Sequence, residues 1–66
     1  MNKPKIIAGS YKLQNGKYVP HAILRFIDGP TITERPLSWE KEFETKEEAN
    51  KYAFLQAELY IKKHYH

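Results

Sequence analysis

A chain of 66 residues, 41% apolar and 29% charged, with no cysteine and a formal net charge of +3, has room for one small domain. The missing cysteines exclude a disulfide framework and any thiolate metal site, and with five Tyr, three Phe and one Trp the composition is that of a folded chain rather than a disordered one. A domain this small hides only about 60% of the surface its unfolded form exposes, so self-association is an early expectation. Three apolar residues, Ile6 to Ala8, stand between Lys5 and Gly9. They are too few for the core of a signal peptide, and no apolar run approaches the ~18 residues of a membrane span. A cytoplasmic address is expected.

Asn15-Gly16 is the strongest short hairpin signal in the chain, because a two-residue type I′ turn needs positive φ at both central positions. Residues 5–14 and 17–27 on either side read as antiparallel strands, the second dense in Tyr18, Val19, Ile23, Leu24, Phe26 and Ile27. Asp28-Gly29-Pro30 marks a second turn. A third strand resumes at Thr31, and Pro36, which cannot donate to a ladder, predicts an edge strand, a bulge or a break near that position. Beyond it Leu37, Trp39, Lys41 and Phe43 alternate with Ser38, Glu40 and Glu42, which reads as a second extended piece.

The period then changes. Thr45-Lys46-Glu47-Glu48 fits a capping box, with the Thr45 hydroxyl accepting from the Glu48 amide and the Glu48 carboxylate reaching back to the Thr45 amide. A helix is predicted over 46–63, with acids in its first turn and Lys62, Lys63 and His64 in its last, as the helix dipole favours. At 100° per residue, Glu47, Lys51, Glu58 and Lys62 make a narrow polar stripe. Ala49, Ala53, Ala57 and Tyr60 form a ridge flanked by Tyr52, Leu55 and Leu59 on one side and Phe54 and Ile61 on the other. That arc is wider than the roughly 100° needed to cover one sheet, so either the sheet curls around the helix or one flank meets a second partner.

Catalytic patterns are missing from the sequence: it carries no Ser-His-Asp or Cys-His spacing and no glycine-rich phosphate loop. Glu40 and Glu42 read as a solvated strand face rather than an acid pair, which would need a pocket to separate their pKa values. His64 and His66, two residues apart at a helix end, point to different sides and make a poor chelate. The expectation is a non-enzymatic protein with no cofactor, metal or small-molecule substrate.

Charge is unevenly placed. Residues 1–35 hold six basic side chains against two acids, for +4, and residues 36–66 hold five against six, for −1. Strand alternation puts Tyr18, Ala22, Leu24 and Phe26 on one face of the second strand and Val19, His21, Ile23, Arg25 and Ile27 on the other. If the first set meets the helix, the second lines an exterior face. Its apolar members break the clean alternation of a sheet covered on one side only, and exposed apolar surface marks an interface. Val19, Ile23, Ile27, Leu55 and Leu59 are therefore candidates for self-association or for contact with a protein partner. The alternative is nucleic acid, with the sheet laid in a DNA groove and Lys12, Lys17, His21, Arg25 and Arg35 as contacts.

The string Trp39-x3-Phe43-x-Thr45-x-Glu47-Glu48-Ala49-x2-Tyr52-Ala53, ending in Tyr60-Ile61, resembles the closing strand and C-terminal helix of small bacterial proteins of β-β-β-α order, including HlyU-like transcriptional regulators. The element order is also similar to the arm-binding domains of tyrosine recombinases, and that resemblance implies DNA contact through the sheet. Together these readings predict a single α+β domain over residues 1–66. Its architecture is a three-stranded antiparallel meander, with its third strand broken near Pro36, packed on one C-terminal helix. The expected core is Tyr18, Leu24, Phe26, Trp39 or Leu37, Phe43, Ala49, Ala53, Ala57 and Tyr60.

Overall fold

The computed structural model describes residues 3–64; His66 lies outside them. Three strands, β1 (Lys5–Lys12), β2 (Tyr18–Asp28) and β3 (Thr31–Ser38), precede one helix, α1 (Lys46–His64). The strands form an antiparallel sheet in the order β1-β2-β3, and α1 lies across β1 and β2 on one face. This is the α+β meander on a helix that the sequence predicts.

Two turns set the register. The first is not the two-residue I′ turn expected at Asn15-Gly16. Gly16 has φ +86°, and among the described residues none other than glycine has positive φ, so Asn15 does not take the conformation that turn demands. The Gly16 amide instead donates to the Leu13 carbonyl at 3.0 Å, and the Leu13 amide donates to Lys17 at 2.7 Å. This is the three-residue loop that ends in a left-handed glycine. The Asn15 side chain serves it from outside, its Oδ1 accepting from the Lys17 amide at 2.9 Å. The two-residue turn falls at Gly29-Pro30, between the paired Asp28 and Thr31. Gly29, at φ +60°, supplies the positive φ that a II′ turn needs at its first central position only.

The third strand is not broken at Pro36. It runs unbroken to Ser38, with Pro36 opposite Ile23, which an edge strand allows because the missing amide faces outward. Its end is set by the neighbouring strand. Tyr18 exchanges both backbone hydrogen bonds with Phe43, at 2.8 and 2.9 Å. By the two-residue period of an antiparallel ladder, Pro20 and Ala22 present their backbones to the same edge. Pro20 has no amide to offer there. The chain leaves the sheet after Ser38, opposite His21, bulges through residues 39–42, and returns at the isolated Tyr18–Phe43 bridge. The second extended piece predicted over Leu37 to Phe43 is instead the end of β3, this bulge and the bridge residue Phe43.

The bulge is pinned by rings. Tyr52 meets Trp39 edge-on at 6.1 Å and Phe43 at 5.1 Å, while the Lys41 ammonium lies 5.0 Å from the Tyr52 ring centre. Thr45 then caps α1, its Oγ1 accepting from the Glu48 amide at 3.2 Å. The return half of the box differs from expectation. The Glu48 carboxylate accepts from the Thr45 hydroxyl at 2.9 Å rather than from its amide.

Ala49, Ala53 and Ala57 are fully buried and Ile61 nearly so. These positions, four residues apart, form one line along the helix, and the small side chains let α1 approach the sheet closely over the Ala8–Ala22 cross-strand pair. Leu24 and Pro20 are the largest fully buried side chains. Ile6, Ala8, Phe26, Leu37, Trp39 and Tyr60 pack around the cluster half-buried. Ile61 thus belongs to the core rather than to a flank. Tyr18 and Phe43, expected in the core, are only half-buried, because they sit at the end of the sheet where the bridge closes.

Candidate functional site

Burying Leu24 and leaving Ile23 uncovered are two consequences of one alternation. The register places Ile6, Ala8, Ala22, Leu24, Arg35 and Leu37 on the helix side. On the open side it aligns Ile7 with Ile23 and Pro36, Tyr11 with Val19, and Ile27 with Ile32. Ile27 and Ile32 are 58% and 62% exposed, and Tyr11 about half. His21 stacks on Tyr11, with ring centres 5.0 Å apart and planes 18° from parallel. It can do so because Gly9 stands opposite it: a Cβ at Gly9 would come within 3.2 Å of the imidazole.

Within the strands, the charged residues of this open face are Lys5, Arg25 and Glu34. Arg25 is committed to its cross-strand neighbour: Nε and a terminal guanidinium nitrogen both reach Glu34 Oε2, at 2.8 and 2.7 Å. The face is therefore apolar, with one internally neutralised pair and one further lysine near its margin.

The basic residues proposed as DNA contacts do not gather on it. His21 and Arg25 are on the open face. Lys12, paired with Tyr18, and Arg35, paired with Leu24, take the helix-side parity. Lys17 lies in the hairpin loop 3.7 Å from Glu44, beside an Asn15–Glu42 hydrogen bond of 3.2 Å. Of the self-association candidates, Val19, Ile23 and Ile27 share the open face. Leu55 and Leu59, about half exposed, lie on the outer flank of α1 and form a separate patch. That flank is uncovered because the helix lies over β1 and β2 and the sheet does not curl around it.

A groove beside α1 has no counterpart in the sequence patterns. Because α1 is set toward β1, a groove of about 550 Å³ opens along its other side, between Trp39 and the last two turns of the helix. Its walls come from segments distant in sequence, and only the bulge after β3 brings Trp39 against them. Among the described residues no group of three His, Asp or Glu side chains is placed to hold a metal ion, and no helix is long and apolar enough to cross a membrane. Comparison with protein-family models, with curated proteins and with solved structures finds no match to this chain.

Proposed function

We propose that this chain is a non-enzymatic binding domain whose open sheet face packs against the same face of a second copy. The observation that carries the reading is the pairing of exposed Ile27 with exposed Ile32, beside an Arg25–Glu34 pair that is already neutralised. An apolar face of this kind excludes water when covered, and its one ion pair brings no uncompensated charge into the contact. Sheets stacked face to face sit ~10 Å apart, and a strand of eleven residues between two of eight gives a footprint of about 27–37 by 14 Å. A contact of that size belongs to the weaker class of specific interfaces, below ~1,200 Å² in total. The association expected is concentration-dependent rather than permanent.

Sedimentation equilibrium between about 1 µM and about 1 mM spans standard free energies from roughly −8 to −4 kcal/mol. The mass should rise from 7.8 kDa toward twice that value, and Ile27→Lys should hold it at the monomer. A mass of 7.8 kDa throughout overturns the proposal, as does association that Ile27→Lys leaves intact and Leu59→Lys abolishes. Duplex DNA binding that is lost in Arg25→Ala would assign the open face to nucleic acid instead.

A further inference from the structure

We propose that the groove between the C-terminal half of α1 and the chain leaving β3 binds a nucleotide unit, a planar base carrying phosphate, either free or within a single strand. The site is separate from the open sheet face and does not depend on self-association there. Its volume of about 550 Å³ lies within the ~300–1,000 Å³ usual for small-ligand sites. Trp39, Tyr60 and Leu59 give it aromatic and aliphatic walls, and Gln56 gives it an amide able to donate and accept.

The charge is one-sided. Lys62, Lys63 and His64 line the groove, and among the described residues no carboxylate does. Arg35, arriving from β3, holds its guanidinium 5.7 Å from the centre of the Tyr60 ring, and His64 packs on the same ring at 4.4 Å. Basic residues in a last helical turn complement the helix dipole by themselves, but that role needs no tryptophan facing them across a groove. Glu40 follows Trp39 in the connection and Glu58 stands in the C-terminal half of α1, but neither lines the groove, whereas Lys62, Lys63 and His64 do.

Aromatic faces beside cations are how single strands are held. Bases stack on the rings at ~1–3 kcal/mol each, the cations follow the phosphates, and a side-chain amide can meet a base edge. An acidic peptide would use the cations and leave the aromatic wall idle. A duplex hides its base faces and would do the same.

Trp39 is the chain's single tryptophan and therefore a built-in reporter. Its emission would be titrated with oligo(dT), with AMP, and with inorganic polyphosphate as a base-free control, at low and moderate salt. Saturable quenching by oligo(dT) or AMP is expected, and which of the two binds more tightly tells a strand from a free nucleotide. For oligo(dT), Lys62→Ala and Lys63→Ala should each weaken binding and reduce the salt slope by about 0.7. Arg25→Ala, on the opposite face, should change nothing. Thermal melts would confirm that these exposed substitutions leave the fold intact. The proposal is overturned if neither base-bearing probe quenches Trp39 at low salt, if polyphosphate competes as well as oligo(dT), if duplex binds better than single strand, or if Arg25→Ala weakens binding as much as Lys63→Ala.

Discussion

The two faces of β2 are built from nearly the same kinds of residue and have opposite fates. Pro20, Ala22 and Leu24 are buried under α1, whereas Ile27 on the other side is 58% exposed and Val19 and Ile23 are half-buried by their strand neighbours alone. Side-chain hydrophobicity does not distinguish them. What does is shape and coverage: the helix side pairs Ala8 with Ala22 beneath an alanine ridge and so admits a helix closely, while the open side pairs branched side chains, Ile7 with Ile23 and Ile27 with Ile32. Among the described residues one helix covers one face of the sheet, and the apolar side chains of the other face stay exposed or half-buried.

The largest expected effect breaks the covered face. Leu24→Ala removes a fully buried side chain and should cost about 2–5 kcal/mol. That rivals the ~3–5 kcal/mol that a core of this size supplies, so circular dichroism should find the variant largely unfolded. Ile23→Ala, one residue away on the open face, should cost about 1 kcal/mol or less in dilute urea titrations, in line with partly exposed sites. Equal losses for the two variants in dilute solution would mean that the faces are not energetically distinct. A loss for Ile23→Ala that grows with protein concentration is the mass-action signature of a covered open face.

A smaller effect concerns how the helix is held to its face. Thr45→Ala removes the acceptor for the Glu48 amide and the hydroxyl that donates to the Glu48 carboxylate, and should cost ~1 kcal/mol. Hydrogen exchange should quicken in the first turn of α1 and leave the β2–β3 ladder protected. Uniform quickening would show that helix and sheet open as one unit, and that the cap is not a local device.

Much of this was legible in the sequence. The parity of Leu24 against Ile23 follows from strand alternation, and the start of α1 at Lys46 from Thr45 and Glu48, because both depend on spacing within one segment. What was not legible depends on partners. Pro36 predicts a break in the third strand where the ladder in fact continues to Ser38, and the bulge over residues 39–42 follows from Pro20 instead, which requires knowing which edge of β2 faces β3. Asn15-Gly16 marked a hairpin correctly but not its loop, because a single glycine at φ +86° suffices when the turn has three residues. The basic residues read as one positive sheet, although the register sends Arg35 to the helix side and Arg25 to Glu34. Once Gly29-Pro30 is known to be a two-residue turn, Thr31 must face Asp28, and the position of Arg35 opposite Leu24 follows by counting. The groove beside Trp39 had no sequence signal, since spacing in one strand or helix says nothing about where a bulge will set a ring.

The smallest effect is also the most discriminating. In the monomer Arg25 and Glu34 are 38% and 45% exposed at their side chains, and a double-mutant cycle with Arg25→Met and Glu34→Gln should give a coupling of about 0.2–1 kcal/mol that salt reduces. Covering the open face removes water from both groups. In that state Glu34→Gln leaves the Arg25 charge without its counter-charge in a poorly solvated contact, and single loss of a buried partner costs far more than loss of an exposed one. The coupling should therefore increase, and its salt dependence fall, as protein concentration is raised through the association range. A coupling that stays small and salt-sensitive at every concentration would place this pair in water permanently, and the two faces of the sheet would then differ only in that one of them carries a helix.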